Sequence, residues 1–327
     1  MVTVVLYVIF PVVIVAAGLI RKWQEKQWGK CKSQSSLQDK VFIVTGANSG
    51  IGKETARGLV KRKARVIMAC RDLSSARNAI EDIRHETSSG ELIPIHLDLS
   101  SLMSVREFVS EVLKEFPKIH VLINNAGVYI PVEKNCKTKE GFEIHFGVNH
   151  LGHFLLTNLL IPRLRESAPA RVVTVSSTLH ERGRIELDDP RGERGFPAGG
   201  GRHNPGYCNS KLANVLFTRE LARRLQGSGV DAHVLCPGFT YTGLFRHTPV
   251  RWYHYVLVAP VALYALRTAA QGAETVLHCA TEESLEGISG LMYRNCAVYK
   301  SKATIDEETA EKLWAVSEEL CGLNSSL

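Results

Sequence analysis

The sequence predicts a single α/β domain built on a doubly wound parallel sheet, preceded by an N-terminal transmembrane helix. Three observations predict it. Apolar runs at 41–44, 65–69, 92–97, 119–123, 171–175 and 230–235 alternate with helix-length segments such as 74–89, 101–115 and 209–226, whose apolar residues lie three and four apart. Such alternation means βαβ units, whose right-handed crossovers lay parallel strands in one sheet with helices on both faces. A glycine-rich turn follows the first run directly, and residues 2–20 form an apolar stretch ahead of it.

In chain order, residues 1–21 read as a membrane anchor. Only Thr3 and Tyr7 relieve the apolar run from 2 to 20, and a helix of that length reaches about 28 Å, close to the hydrocarbon thickness of a bilayer. A cleaved secretory leader is the competing reading, but no basic segment precedes the run. Arg21, Lys22, Lys26, Lys30 and Lys32 follow it, interrupted only by Glu25; positive charge on that side alone places the remaining chain in the cytoplasm. The expected membrane is that of the endoplasmic reticulum. Residues 22–37 read as a basic and polar linker, 38–300 as the α/β domain itself, and 301–327 as a C-terminal helix and tail, the helix amphipathic over about 305–320.

Composition excludes several classes. Over 327 residues, 45% hydrophobic and 22% charged is ordinary for a globular protein and unlike a disordered or multi-span membrane chain. The net charge of +7 comes from bases interspersed with acids, around no nucleic-acid motif, so nucleic acid is not an expected partner. Eight cysteines lie scattered without CxxC pairs or metal-type spacing; they read as small buried side chains in a reducing compartment, and no metal is expected.

The turn after the first strand is Thr45-Gly46-Ala47-Asn48-Ser49-Gly50-Ile51-Gly52, leading into the helical Lys53-Glu54-Thr55-Ala56. Between a strand and a helix, glycines let backbone N–H groups and the helix N-terminus approach a pyrophosphate. The second strand ends in Ala69-Cys70-Arg71-Asp72. Cys70 stands where an NAD enzyme places an acid against the ribose hydroxyls, and Arg71 follows, so NADP(H) is favoured. Asp72 reads as a capping carboxylate for the next helix.

With that turn in TGxxxGxG form, the chain resembles the short-chain dehydrogenase/reductase family over about residues 38–300, which implies a Rossmann-type sheet. Family markers follow in order: Asp98-Leu99, expected near adenine; Asn124-Asn125-Ala126-Gly127 after the fourth strand; and Asn149 on a long helix. Tyr207-Cys208-Asn209-Ser210-Lys211 matches the family's YxxxK, a spacing that puts Tyr207 and Lys211 on one helix face. An unperturbed phenol, with a pKa near about 10, is a poor acid–base group at neutral pH, and a nearby ammonium lowers that value. The resemblance assigns proton transfer to Tyr207, with Lys211 lowering its pKa and binding the nicotinamide ribose. It assigns polarisation of the substrate oxygen to Ser177, and to Asn149 the holding of a water that relays protons from Lys211. Of Ser176-Ser177, residue physics chooses neither; the family pattern chooses the second. Pro237-Gly238-Phe239-Thr240-Tyr241-Thr242 resembles PGxxxT, which implies that Pro237, Gly238, Thr240 and Thr242 line the cofactor and that Thr242 holds the carboxamide.

The stretch 187–206, rich in Gly, Pro, Asp and Arg, reads as a long surface loop before the catalytic helix, and Trp252–Leu266 as an apolar segment over a lipophilic substrate or in a helix pair. Closer similarity is to the retinol dehydrogenase branch, carried by residues 48–56, Ala69-Cys70-Arg71-Asp72, Asn149-His150-Leu151-Gly152-His153-Phe154 and Ser210-Lys211-Leu212-Ala213-Asn214. His150 and His153 read as helix-packing residues. The chain departs from the branch at Cys236, where His is common, and in the length of 188–206. The resemblance implies NADP(H)-dependent interconversion of a lipophilic alcohol and its aldehyde or ketone, retinal and retinol first. A steroid, ecdysteroid or isoprenoid carbonyl is the runner-up, and a non-catalytic NADPH-binding membrane protein stands as the reading from another class. It also allows a homo-oligomer as well as a monomer.

Overall fold

In the computed structural model, the structure describes residues 10–196, 203–245 and 264–323. Strands β1 (Val41–Thr45), β2 (Arg65–Cys70), β3 (Glu91–His96), β4 (Val121–Asn124), β5 (Ala170–Val175), β6 (Val230–Cys236), β7 (Met292–Arg294) and β8 (Ala297–Val298) form one sheet in the order β3-β2-β1-β4-β5-β6-β7-β8. All neighbours are parallel except β7 and β8. The order reverses between β1 and β4, which opens a crevice at the carboxyl ends of those strands.

Both faces of the sheet are covered, which is why its strands read as continuous apolar runs rather than alternating ones. Val41 and Ile43 face one core, Phe42 and Val44 the other. The first core is closed by α4 (Leu102–Glu115), α5 (Gly152–Glu166) and the end of α6 (Pro205–Arg224), with Trp314 of α8 (Glu307–Leu320). The second is closed by α2 (Gly50–Lys61), α3 (Leu73–Arg84) and α7 (Ala269–Thr281). Local chemistry sets the helix starts. Asp72 accepts from Ser74 N and Ser75 N, Asn204 accepts from Tyr207 N with Pro205 in the first turn, and Thr268 and Gln271 form a reciprocal cap on α7. Helix α3 is shorter than the expected 74–89, because the Arg84 guanidinium bonds to Ser89 O and Gly90 O and turns the chain.

The N-terminal helix, α1, spans Phe10–Gln27. Residues 1–9 of the expected 1–21 anchor lie outside the described residues, and among the described residues no helix is long and apolar enough to cross a membrane. Residues 28–37, part of the expected linker, lie along the domain. Trp28 is buried between the guanidinium groups of Arg21 and Arg267, 4.6 and 4.8 Å from its ring centre. Cys31 N donates to Glu274, and Leu37 N to Arg62 O.

Candidate active site

The residues expected to do chemistry meet at the carboxyl edge of the sheet. The two serines after β5 part company there. Ser176 is buried and donates to Lys211 O at 2.7 Å; Ser177 caps a short 3₁₀ turn, accepting from Leu179 N at 3.2 Å, and its hydroxyl is close enough to the Tyr207 phenol to favour the phenolate. Tyr207 lies in the first turn of α6. Lys211, one turn on, places Nζ 5.7 Å from the Tyr207 ring centre and donates to Val175 O at 3.0 Å. Burial pushes the Tyr207 phenol above its ordinary value, against the pull of the Ser177 hydrogen bond, and brings the Lys211 ammonium down to about 8.

Asn149 stands in a widened stretch of π-helix, Phe146–Leu151, that runs into α5. Its side chain is fully engaged: Oδ1 accepts from Val128 N at 2.8 Å, and Nδ2 donates to Val128 O and Ser210 Oγ. A Cβ placed on Gly127 would lie 3.4 Å from Asn149 Oδ1 and 3.6 Å from Lys211 Nζ, so this glycine keeps the approach to both open.

The glycine-rich turn lies alongside. Gly46 and Gly50 have φ of +66° and +55°, a region that favours glycine. Ser49 precedes α2 without capping any N–H with its side chain, so Gly50, Ile51 and Gly52 begin a helix with free donors. Thr242 closes over the turn, its Cβ 3.2 Å from where a Gly50 Cβ would stand.

Comparison with known proteins decides the family. The family model for short chain dehydrogenases matches residues 40–187. Human retinol dehydrogenase 12 is 47% identical over 90% of each chain, and human retinol dehydrogenase 11 is 46% identical over 94% of this chain and 93% of its own. The chain belongs to the short-chain dehydrogenase family. Among solved structures, an uncharacterised protein from Mycobacterium Paratuberculosis is 35% identical with a TM-score of 0.67, covering 90% of this chain and 97% of its own. A short-chain type dehydrogenase/reductase from Mycobacterium marinum shares the fold at 21% identity and a TM-score of 0.63, covering 79% of this chain and 94% of its own.

This short-chain dehydrogenase has residues that fit the family's nicotinamide dinucleotide, NAD or NADP. The uncapped α2 N-terminus and the positive-φ glycines suit a pyrophosphate. At the end of β2, Arg71 is exposed, while the Asp72 carboxylate, held down to about 2 by the Ser74 and Ser75 hydroxyls, is spent on capping α3. Cys70 is buried, and burial raises its thiol to about 11.

Other expected cofactor residues hold the site's shape by bonds within the chain. Asn125 donates through Nδ2 to Thr45 O, and both Asn125 N and Ala126 N donate to Thr45 Oγ1 at 2.9 Å. Asp98 Oδ1 accepts from Ser100 N and Ser100 Oγ, and Leu99 belongs to the core. Asn48 lies partly exposed in the turn. Pro237 O accepts from Arg267; Gly238, at φ +86°, packs on the same guanidinium; and Thr240 is buried against α7. The segment Trp252–Leu266 lies outside the described residues up to 263, as do 197–202 of the 187–206 loop.

Two histidine networks escaped sequence reasoning. His153 Nδ1 lies 3.0 Å from Asn149 O, which can only accept, so Nδ1 carries the proton and Nε2 accepts from the Thr45 hydroxyl at 2.9 Å. Thr45 thus uses its one donor and both lone pairs, tying β1 to β4 and to the Asn149 stretch. His145 Nε2 accepts from Ile130 N, and Nδ1 donates to Glu143 Oε1 at 2.6 Å, while Glu143 Oε2 accepts from Phe146 N at the start of the π-helix. The His145 and Tyr129 rings pack edge-on against Tyr207 at 6.2 and 5.2 Å. The visible sequence clue was slight: polar residues three to seven positions from Asn149 in an otherwise apolar segment.

Proposed function

We propose that this chain is an NADP(H)-dependent, membrane-attached oxidoreductase that interconverts a lipophilic alcohol and its carbonyl compound, retinol and retinal foremost. One observation carries the reaction class: the Ser177 hydroxyl favours the Tyr207 phenolate, and the Lys211 ammonium, one helix turn on, stands 5.7 Å from the Tyr207 ring centre. The retinoid assignment is supported by the identity to relatives named retinol dehydrogenases 11, 12 and 14, the last 43% identical over 88% of each chain.

The glycine turn and Arg71 would hold the dinucleotide, Arg71 favouring a 2′-phosphate, and Thr242 would contribute at the nicotinamide end. Bound there, NADPH supplies hydride to a carbonyl carbon. Tyr207 gives its phenolic proton to the carbonyl oxygen, and Ser177 donates a hydrogen bond to the same oxygen. The positive charge of Lys211 stabilises the phenolate left behind. Asn149, its side chain anchored to the Val128 backbone, holds the lysine's surroundings in place for reprotonation. Attachment to the endoplasmic reticulum through residues 1–21, with the domain facing the cytoplasm, is supported by the apolar run from 2 to 20 and the cations after it.

The test is NADPH consumption by membranes carrying the chain, offered all-trans-retinal and a sterol ketone separately, with Tyr207→Phe as control. Retinal turnover falling about a hundredfold or more in the variant, with NADPH binding retained, is the expected result. Turnover of the sterol ketone alone would discard the retinoid assignment and keep the mechanism, and NADPH binding without turnover of either would point to a non-catalytic protein.

A further inference from the structure

The strongly exposed aromatic side chains among the described residues lie in two adjoining places. Trp23 (58% exposed) is on α1; Phe239, Tyr241 and Tyr264 (50, 75 and 46% exposed) lie on the paired segments that follow β6 and precede α7. Backbone bonds join these segments: Arg267 N donates to Phe239 O and Tyr241 N to Arg267 O. Arg21 joins them to α1 by donating to Leu266 O at 2.8 Å. These aromatic residues therefore lie within a few positions of the contact between α1 and the domain. They also border the active site, because Thr242, next to Tyr241, covers the glycine turn.

Depth along α1 orders the chemistry. Exposed Val15, Leu19 and Ile20 come first, then exposed Lys22 and Trp23 side by side, then Lys26 in the last turn, with exposed Lys30 and Lys32 beyond the helix end. Glu25, the acid in this stretch, is paired with Arg21 at 2.8 Å and accepts from Gln271. Aliphatic residues followed by an aromatic residue set among cations match the hydrocarbon and then the interface with its anionic headgroups in a bilayer. An apolar segment of nine further residues precedes Phe10.

We propose that Trp23, Phe239, Tyr241 and Tyr264 form an interfacial rim seated among the lipid headgroups. The mouth of the active site then opens onto the bilayer, and the lipophilic carbonyl substrate passes from lipid to Tyr207 along the rim. This rests on the membrane attachment and substrate class proposed above. The occupant is the bilayer rather than a second protein, because the cations flanking the rim match anionic headgroups and the helix leads from the rim into aliphatic residues.

The experiment uses the full chain in vesicles of phosphatidylcholine and phosphatidylserine, comparing wild type with a Tyr241→Glu, Tyr264→Glu double variant. Vesicle flotation reads attachment, and turnover is followed with vesicle-borne all-trans-retinal and with a short water-soluble aldehyde. The rim requires that the double variant still float, bind NADPH and reduce the soluble aldehyde as wild type does, while KM for vesicle-borne retinal rises about tenfold. Equal losses on both substrates, or no loss on retinal, would overturn it. Should wild type reduce neither carbonyl, the substrate reading fails alone, and a Tyr241→Trp variant decides the rim. Added emission quenched by brominated lipids supports it; added emission quenched by aqueous acrylamide instead overturns it.

Discussion

Lys211 is asked to be charged in a place that disfavours charge. Burial brings its ammonium to about 8, below the ordinary lysine value, so the cation is present below that pH and is lost as pH rises through it. The burial that penalises the cation also raises the Tyr207 phenol, so the lowering expected of Lys211 does not prevail at Tyr207 in the unliganded site. The turnover number for carbonyl reduction at saturating NADPH is therefore expected to fall above about pH 8. In Lys211→Arg, whose guanidinium stays charged, whatever activity remains should lack that fall up to pH 10; an unchanged falling limb would show that another group sets it. Single residues are also where the sequence was least explicit. Ser176 and Ser177 are chemically alike, and only the direction of the chain after β5 sends one hydroxyl to Lys211 O and the other to Tyr207. His153 reads as a packing residue by its apolar surroundings, yet its tautomer is dictated by Asn149 O and transmitted to Thr45.

At the scale of elements, the junction of β2 and α3 divides two adjacent charges between two tasks. Asp72 stabilises the first turn of α3, and Arg71 is left exposed beside the turn that follows β1. Asp72→Ala is expected to lower the thermal midpoint and leave the preference between NADPH and NADH unchanged. Arg71→Ala should weaken NADPH binding by about tenfold to a hundredfold, the range of a charge-assisted hydrogen bond, with NADH little affected. Fluorescence titration with each dinucleotide separates the two, and equal weakening of both would remove Arg71 from phosphate recognition. The six longer strands were legible because apolar residues dominate each, unbroken in Phe42–Val44 and Val121–Ile123, though Arg171, Asp231 and His233 interrupt β5 and β6 and the edge strand β3 is only partly buried. Strands β7 and β8 were not, since three and two residues carry no period. Nor was the π-helical stretch at 146–151, whose extra residue per turn leaves no mark in a segment buried all round.

Across the whole molecule, buried histidines link the outer layers to the centre. His150 bonds to Ser317 of α8 and His153 to Thr45 of β1, and burial lowers them to about 3 and about 4. Both folded values lie below the ordinary 6.5, so their neutral forms contribute stability fully above about pH 6.5, which is lost progressively as pH falls toward the folded values. Each adds at most one proton's linkage to the decline in that window. Urea unfolding at pH 7 and pH 5 should show the decline, shallower in His150→Gln; an identical slope in the variant would assign the acid sensitivity elsewhere.

The clasp of Trp28 between Arg21 and Arg267 decides where this chain can be divided. Arg267 also holds Pro237 O and Asn295, so the tryptophan braces the segment that carries Thr242 as well as the turn between β7 and β8. A form cut just before β1 would lose that brace along with α1, so its poor activity would not by itself report on the N-terminal helix. Cut before Arg21, within α1, the chain keeps it.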